Sequence, residues 1–336
     1  MSKRKTLVYS AIVIAALLFL AQPALAQSSA VSTGTSADAL AGMPLLARAP
    51  ETAINFNSAA SVDWVRGELS AQTSFNVAEA GLRLPAGRLR SEDILHKARQ
   101  GLLRPYLLAI RVDSESTVGD LLERGEISLQ ELDSFSRTAR QTPPSFSRDM
   151  SSIIGRYSIP LQGISSFLSS RGVAAEFAGT SRYRRGVELP RPLIPAPAAE
   201  YTGIVIIADR ELPVRGRRGT ALLEPGIFPR IWDTEMNLIY ERDIAEAERL
   251  QSAMLVRYAA PESIFRPTPS GLDGELAALV GARPLRIFAR EVFGVFPTDP
   301  VIDRDDALRI LSSDNNRRLL REGRVILVLN AAQLRN

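Results

Sequence analysis

Residues 201–207 read Tyr201-Thr202-Gly203-Ile204-Val205-Ile206-Ile207, and the last four form an uninterrupted apolar run. A run of this length that is rich in β-branched residues predicts a strand buried on both faces. A second run of the same kind, Val325 to Leu329, lies near the end of the chain and predicts another inner strand. The two runs lie at either end of a C-terminal module over residues 200–330.

Between these runs the sequence predicts a mixture of strands and helices. Residues 228–232 and 238–240 flank a polar segment, Asp233 to Asn237, and predict a hairpin with a longer loop. Asp303 is a candidate helix cap, and a helix over 315–321 is expected to end at Gly323. The remaining predictions are a helix over 243–250 and strands over 254–258 and 285–292.

An N-terminal module is predicted over residues 61–169. A strand over 62–69 is followed by a helix that Ser91 can cap and that Pro105 is expected to kink or end near Arg104. Thr117 with Asp120, and Ser128 with Glu131, have the spacing of capping boxes, the second for a helix that reaches Arg140 and stops at Pro143-Pro144. A strand over 153–161 ends the module. Both modules are therefore of the α+β class.

The segments outside the modules differ from them in composition. Residues 1–26 combine Lys3, Arg4 and Lys5 with an apolar run and a small-x-small site, the pattern of a cleaved secretory signal peptide rather than a retained anchor. Residues 27–60 are rich in Ser, Ala, Thr and Gly and predict a flexible leader. Residues 170–199 contain Arg182, Arg184 and Arg185 and four prolines, and predict an extended linker.

Composition excludes several classes of site. The chain has 336 residues, no cysteine and one histidine, which excludes disulfides, thiolate chemistry and clusters of imidazole ligands within one chain. Without residues 1–26 it carries 38 basic and 37 acidic residues, so its charge gives no reason to expect a nucleic-acid partner. We therefore predict no metal, no cofactor and no nucleic acid.

Candidate catalytic residues are few, and each has an ordinary structural explanation. His96 lies among ordinary helix residues without a nucleophile motif to pair with, which indicates a surface histidine. The acidic run Asp303 to Asp306 lacks the glycine of a calcium loop and is better explained as a helix cap. Asp233 and Glu235 would suit a hydrolase only if they converged with Asp303 in a pocket.

The segment Arg215-Gly216-Arg217-Arg218-Gly219 is the candidate binding site. Glycines beside arginines can form an anion-binding turn, although the segment lacks the spacing of a nucleotide-binding loop. Arg215, Arg217 and Arg218 would then bind a phosphate or a glycan, and a solvated loop is the alternative.

Several motifs carry a resemblance to a known family. A strand with Trp64 and Gly67, a helix, and then Val112-Asp113-Ser114-Glu115-Ser116-Thr117-Val118 resemble the secreted FlgP-type flagellar and envelope family. The Tyr201-Thr202-Gly203 motif, the stretch Phe228 to Asp233 and the ending over 320–328 are similar to its larger, mostly uncharacterised secreted relatives. The matches cover most of residues 61–329.

The resemblance implies an envelope protein without enzymatic activity that assembles around the flagellar rotor or supports the envelope. We therefore expect an exported structural protein that self-associates or binds protein partners of the envelope. We expect that any association of the protein with the outer membrane or peptidoglycan does not use a lipid anchor, because the chain has no cysteine to acylate. The alternative is a periplasmic module that binds an anionic polymer or glycan through its arginine-rich loops.

Overall fold

The computed structural model describes residues 54–170, 199–268 and 270–335. In its N-terminal module, buried and less buried residues alternate along the strands of one sheet. Its sheet is antiparallel, in the order β1-β2-β4-β3. On β2 and β4 every second residue is buried, and the others face outward, as expected for a sheet covered on one face. The strands are β1 (Phe56–Asp63), β2 (Glu68–Asn76), β3 (Arg140–Phe146) and β4 (Ser152–Pro160).

Four helices belong to this module, and the longest covers the inner face of the sheet. Leu95, Leu103 and Leu107 of this helix are buried and pack in the same clusters as Phe75 and Tyr157 of the sheet. The helices are α1 (Arg88–Leu108), α2 (Val118–Glu123), α3 (Leu129–Ser136) and α4 (Leu161–Ser169).

The C-terminal module is built on a parallel sheet in the order β10-β14-β5-β11. Every residue of its two central strands is buried, because apolar side chains cover both faces. The two apolar runs at either end of the module are thus neighbouring strands, which confirms both predictions. The strands are β5 (Ile204–Ala208), β10 (Arg257–Ala259), β11 (Leu285–Phe288) and β14 (Val325–Leu329).

A second, mixed sheet of this module has the order β12-β13-β8-β9, and a short ribbon, β6 (Leu212–Pro213) with β7 (Thr220–Ala221), lies beside it. The predicted hairpin is confirmed as β8 and β9. The strands of the sheet are β8 (Ile231–Asp233), β9 (Leu238–Tyr240), β12 (Glu291–Phe293) and β13 (Asp299–Ile302), and the helices are α5 (Ala247–Ser252), α6 (Gly274–Val280), α7 (Arg304–Leu311) and α8 (Asp314–Arg321).

One apolar core passes through both modules. Trp64, Leu107 and Ile159 of the first module belong to the same buried cluster as Ile206 and Leu327 of the second. The ring of Trp64 meets that of Tyr258 edge to face, with centroids 5.6 Å apart, a favoured aromatic geometry. The two modules of the α+β fold therefore share one hydrophobic core, and all described residues fall in one compact unit.

Four local end signals of helices, at Thr117, Ser128, Asp303 and Gly323, were predicted correctly. Both capping boxes form as predicted, with Thr117 capping α2 and Ser128 capping α3. Asp303 caps α7 by accepting from the N–H of Asp305 at 3.1 Å, and Gly323 follows α8 with a positive φ. These signals are reliable because donor and acceptor lie within a few residues of each other.

The predicted start of the N-terminal module was wrong. The segment 27–60 was expected to be a leader, yet β1 begins at Phe56, and the expected strand over 62–69 is interrupted by a turn over 64–67 that joins β1 to β2. Asp63 Oδ1 accepts from the N–H of Arg66 at 2.9 Å, and Gly67 has a φ of +68°, the left-handed conformation that favours glycine. The sequence pattern does not predict β1 because its small Ser and Ala residues have a low strand propensity. The strand forms because it pairs with β2.

Two predicted helix ends that depended on proline were also wrong. Pro105 lies inside α1, which continues to Leu108 because its last turn buries Leu107 and so stabilises the helix beyond the proline. The helix expected to reach Arg140 ends at Ser136, and Pro143 and Pro144 lie in β3. An edge strand with an irregular register tolerates proline because its outward N–H groups need no partner.

Several smaller boundaries differ in the C-terminal module and at Ser91. Gly87, not Ser91, precedes α1, and the Ser91 hydroxyl donates to the Gly87 carbonyl at 2.9 Å. The helix expected over 243–250 is a 3-10 turn over 242–244 followed by α5, and the strand expected over 285–292 is divided into β11 and β12.

Some predictions concern residues outside the described part of the chain. These are the signal peptide, the leader up to residue 53, and the linker residues 171–198 with Arg182, Arg184 and Arg185. Within the described residues, none of the helices combines the length and apolar character needed to cross a membrane.

Candidate functional site

The two modules meet at a buried group of charged side chains, which we call the junction cluster: Asp113, Arg230 and Asp299. Their exposed fractions are 2%, 6% and 0%. Arg230 Nη2 lies 3.5 Å from Asp113 Oδ2, and the backbone N–H of Arg230 donates to Asp299 Oδ1 at 2.9 Å. An arginine of the second module thus lies between a carboxylate of each module.

The sequence around Asp113 explains how this carboxylate is oriented. Asp113 Oδ1 accepts from the N–H groups of Glu115 and Ser116, both at 2.9 Å, and from the Ser116 hydroxyl at 2.7 Å. This is the local turn that aspartate favours, because its side chain can bond the backbone two or three residues later. The other oxygen, Oδ2, is left to face Arg230.

Backbone hydrogen bonds reinforce the contact. The carbonyls of Arg111 and Val112 accept from the N–H groups of Ile227 and Phe228 at 3.1 and 2.7 Å. The Ser114 carbonyl accepts from the N–H of Phe296 at 3.0 Å. Residues 111–114 are therefore bonded along their length to two loops of the C-terminal module.

Burial determines the electrostatics of the cluster. It raises the pKa of Asp299 to about 6, against the opposing effects of Arg230 and of hydrogen bonds that include the one from Trp232. Trp232 Nε1 donates to Asp299 Oδ2 at 3.1 Å. A buried carboxylate and guanidinium that bond each other hold two elements in one arrangement, and losing one partner leaves an uncompensated charge. The junction cluster thus acts as a structural joint.

A second candidate surface is the outer edge of β1. At the opposite side of the same sheet, β3 carries two prolines and an irregular register between Thr142 and Ser145, which discourage pairing with another strand. β1 has neither proline nor charge from Phe56 to Val62. In the part of the chain that the structure describes, residues 56–61 pair with β2 alone.

The far end of β1 shows which peptide groups point to this edge. The N–H of Trp64 donates to the Leu334 carbonyl at 3.0 Å, and Arg335 lies beside Asp63 in an isolated bridge. Because alternate residues of an antiparallel strand direct their peptide groups to the same side, the groups of Phe56, Ser58 and Ala60 also point outward.

An apolar pocket lies next to this edge. Its volume is about 200 Å³, and it lies between β1 and the end of α1. Ala60 and Val62 line it from the strand, and Tyr106 and Ile110 line it from the helix side. A strand edge beside an apolar pocket is the arrangement by which proteins accept an added strand and one of its side chains.

The predicted arginine loop is only partly available to a ligand. Arg215 Nη1 pairs with Glu291 Oε2 at 3.0 Å, and its Nη2 donates to the Thr234 carbonyl at 2.9 Å. Arg217 and Arg218 are exposed in the loop between β6 and β7. Arg215 is therefore held by the protein itself, and binding by the other two stays a prediction.

The candidate acids lie near one another at the ends of β8 and β13, but each is engaged locally. Asp233 is buried and accepts from the N–H groups of Glu235 and Asn237 at 2.9 and 2.8 Å. Glu235 pairs with Arg304, and Asp303 lies 3.4 Å from Arg290. Among the described residues no group of three or more His, Asp or Glu side chains is arranged to hold a metal ion.

Two further residues complete the comparison with the sequence. His96 is exposed on α1, as predicted. Asp299 was not singled out, because the segment Thr298-Asp299-Pro300 has no local signal for a buried charge. Arg230 and Asp113 lie within recognised motifs, but no pattern in the sequence predicts that they are in contact.

Each module matches a family model. Residues 55–167 match the family model described as Treponema pallidum Tp0624, N-terminal domain, and residues 203–331 match the one described as its second domain. Each module is similar to a Tp0624 domain. No curated protein matches the chain. These matches name a family other than the FlgP-type one, and the relationship to the latter stays a prediction.

Proposed function

We propose that this chain is an exported assembly protein of the cell envelope, without enzymatic activity, whose copies associate by pairing their β1 strands. The observation that carries the proposal is the uncharged edge of β1, whose residues 56–61 pair with β2 alone among the described residues. Export is supported by the pattern of residues 1–26, and association with the flagellar basal apparatus by the resemblance described above.

A second copy suits this edge because the strand is complementary to itself. In an antiparallel pair related by a two-fold axis at Ser58, Phe56 would face Ala60, and Asn57 would face Ala59. No like charges would meet, which removes the usual cost of pairing identical strands. The Ser58 hydroxyl is buried and has no hydrogen-bond partner in the described part of the chain, and this register would place a second Ser58 opposite it.

The junction cluster supports the same function. A subunit of an assembly transmits its geometry only if its modules keep a fixed arrangement, and buried ion pairs with shared backbone bonds restrict their relative movement. The continuous core that includes Trp64 and Tyr258 has the same effect.

A charge-swap experiment tests the pairing. The purified exported chain is expected to form dimers or larger oligomers in light scattering coupled to size exclusion. The double variants N57K/A59K and N57E/A59E should each be monomeric, because like charges would face each other across the two-fold axis, and an equimolar mixture should restore association. Both positions are exposed, so the fold should be unaffected.

The matched control is Thr142→Lys, which places a charge on the opposite edge strand, β3, and should leave association unchanged. A chain that stays monomeric without substitutions would contradict the proposal. So would a loss of association in the Thr142→Lys variant equal to that in the charge-swap variants.

A further inference from the structure

A groove at the meeting of the two modules, separate from β1 and from the junction cluster, has the features of a binding site. Its volume is about 380 Å³, within the range of pockets that hold small molecules. One wall comes from the turn between β1 and β2 and the start of α4, and the other from α5, the start of β10, and α6.

The groove is rich in arginine. Arg66 of the first module and Arg249 and Arg257 of the second line it, together with Glu275. Arg257 Nη2 lies 3.3 Å from Glu275 Oε2, and the glutamate side chain is 87% exposed. Neither Arg66 nor Arg249 has an ion-pair partner among the described residues, so the groove carries an excess of positive charge.

Arg249 is the most informative of these residues. It is half-buried, and its Nε is buried without a hydrogen-bond acceptor in the described part of the chain. Burial lowers the pKa of Arg249 against an opposing effect of Tyr240, and the nearby Arg257 lowers it further. A partly desolvated guanidinium beside another cation is costly unless an anion compensates it.

The Arg249 side chain lies close to Gly323. A Cβ at position 323 would lie 2.9 Å from Arg249 Nε, so the glycine that ends α8 also leaves room for the arginine. The apolar residues Met254 and Leu279 line the groove as well. The site therefore offers both a cation and an apolar surface.

We propose that this groove binds an anionic ligand of small-molecule size, whose carboxylate or phosphate group pairs with Arg249 and Arg66 while its uncharged part packs against Met254 and Leu279. Arginine suits either group because its guanidinium can bond two oxygens at once. The proposal does not depend on self-association through β1, and it places anion binding away from the loop of Arg217 and Arg218.

Titration calorimetry of the full exported chain with three probes tests the site. Glucuronate, a sugar that carries a carboxylate, and inorganic phosphate represent the two anion types, and glucose is the uncharged control. We expect binding of glucuronate or phosphate that weakens with added salt, and none of glucose. Glucuronate binding alone would assign a carboxylate ligand, and phosphate binding alone a phosphate ligand.

Three variants locate the binding. Arg249→Gln and Arg66→Gln should each weaken it at least about tenfold, since a charge-assisted bond is worth on the order of 1.5–3 kcal/mol. R217Q/R218Q should leave it unchanged. Arg66 is exposed, so its variant remains decisive if Arg249→Gln disturbs the fold, which the melting temperature would reveal.

The proposal would be overturned if R217Q/R218Q lost binding while the two groove variants kept it. It would also be overturned if glucose bound equally well, or if neither anion bound at millimolar concentration. Light scattering of the Arg66→Gln variant separates the two proposals, because association through β1 should persist in it.

Discussion

The guanidinium of Arg230 lies 3.5 Å from the carboxylate of Asp113, although the two residues belong to different modules and are separated by more than a hundred positions in the chain. Both side chains are almost fully buried. Such a pair contributes little net stability compared with apolar packing, yet removing one member is costly. The contact therefore makes the arrangement of the modules sensitive to single substitutions.

Asp113→Asn is expected to lower the free energy of unfolding by about 3 kcal/mol, because Arg230 would keep its charge in a buried site with a weaker partner. Urea denaturation followed by circular dichroism measures the change. Asp93→Asn is the matched control, since Asp93 forms an exposed pair with Lys97 at 2.7 Å, and it should cost no more than about 0.5 kcal/mol. Equal losses would argue against the role of the junction cluster.

The buried Asp299 predicts a particular pH dependence. Its pKa is raised to about 6 in the folded protein, from an ordinary value of 3.8, so the folded state binds more protons than the unfolded state between these values. Its contribution to stability is therefore greatest below about pH 4 and is lost as the pH rises through 6, by on the order of 3 kcal/mol.

The test measures the free energy of unfolding from pH 4 to pH 7 for the unsubstituted chain and for Asp299→Asn. The comparison separates the contribution of Asp299 from those of other acids. The difference between the two proteins should change with pH in this window in the stated direction. A difference that stays constant with pH would show that Asp299 does not titrate there.

Gly294 is expected to tolerate no side chain. Its φ is +116°, and a Cβ would lie 2.4 Å from the Ser114 Cβ across the junction. Gly294→Ala should cost about 3 kcal/mol or more from strain and displacement together. Gly216→Ala is the control, since Gly216 also has a positive φ, +75°, but nothing lies within 4 Å of its Cβ; it should cost about 1 kcal/mol.

The proposed location is tested in cells. The native protein is expected to appear in the periplasmic or envelope fraction and to co-purify with detergent-extracted flagellar basal bodies, and a strain that lacks it should have impaired motility. Recovery as a free periplasmic protein with intact motility would contradict the flagellar part of the proposal and leave export in place.

The candidate sites were only partly accessible to sequence reasoning. The arginine loop was chosen because its residues are adjacent in the chain, and Arg215 proved to be held by Glu291. Arg66, Arg249 and Arg257 have no common motif, and the fold brings them to one groove. Clusters assembled from separate elements leave no spacing pattern to recognise.

The sequence by itself determined the elements whose causes are local. The capping boxes at Thr117 and Ser128, the cap at Asp303 and the buried strands β5 and β14 were predicted because hydrogen bonds within a few residues, or an unbroken apolar run, are sufficient to specify them.

Only the tertiary structure decided the remainder. The weakly patterned β1 is a strand because β2 pairs with it, α1 continues past Pro105 because Leu107 is buried, and Asp113 meets Arg230 because a common core brings two distant motifs together. In each case the free energy comes from contacts between residues far apart in the chain, and a linear pattern does not encode such contacts.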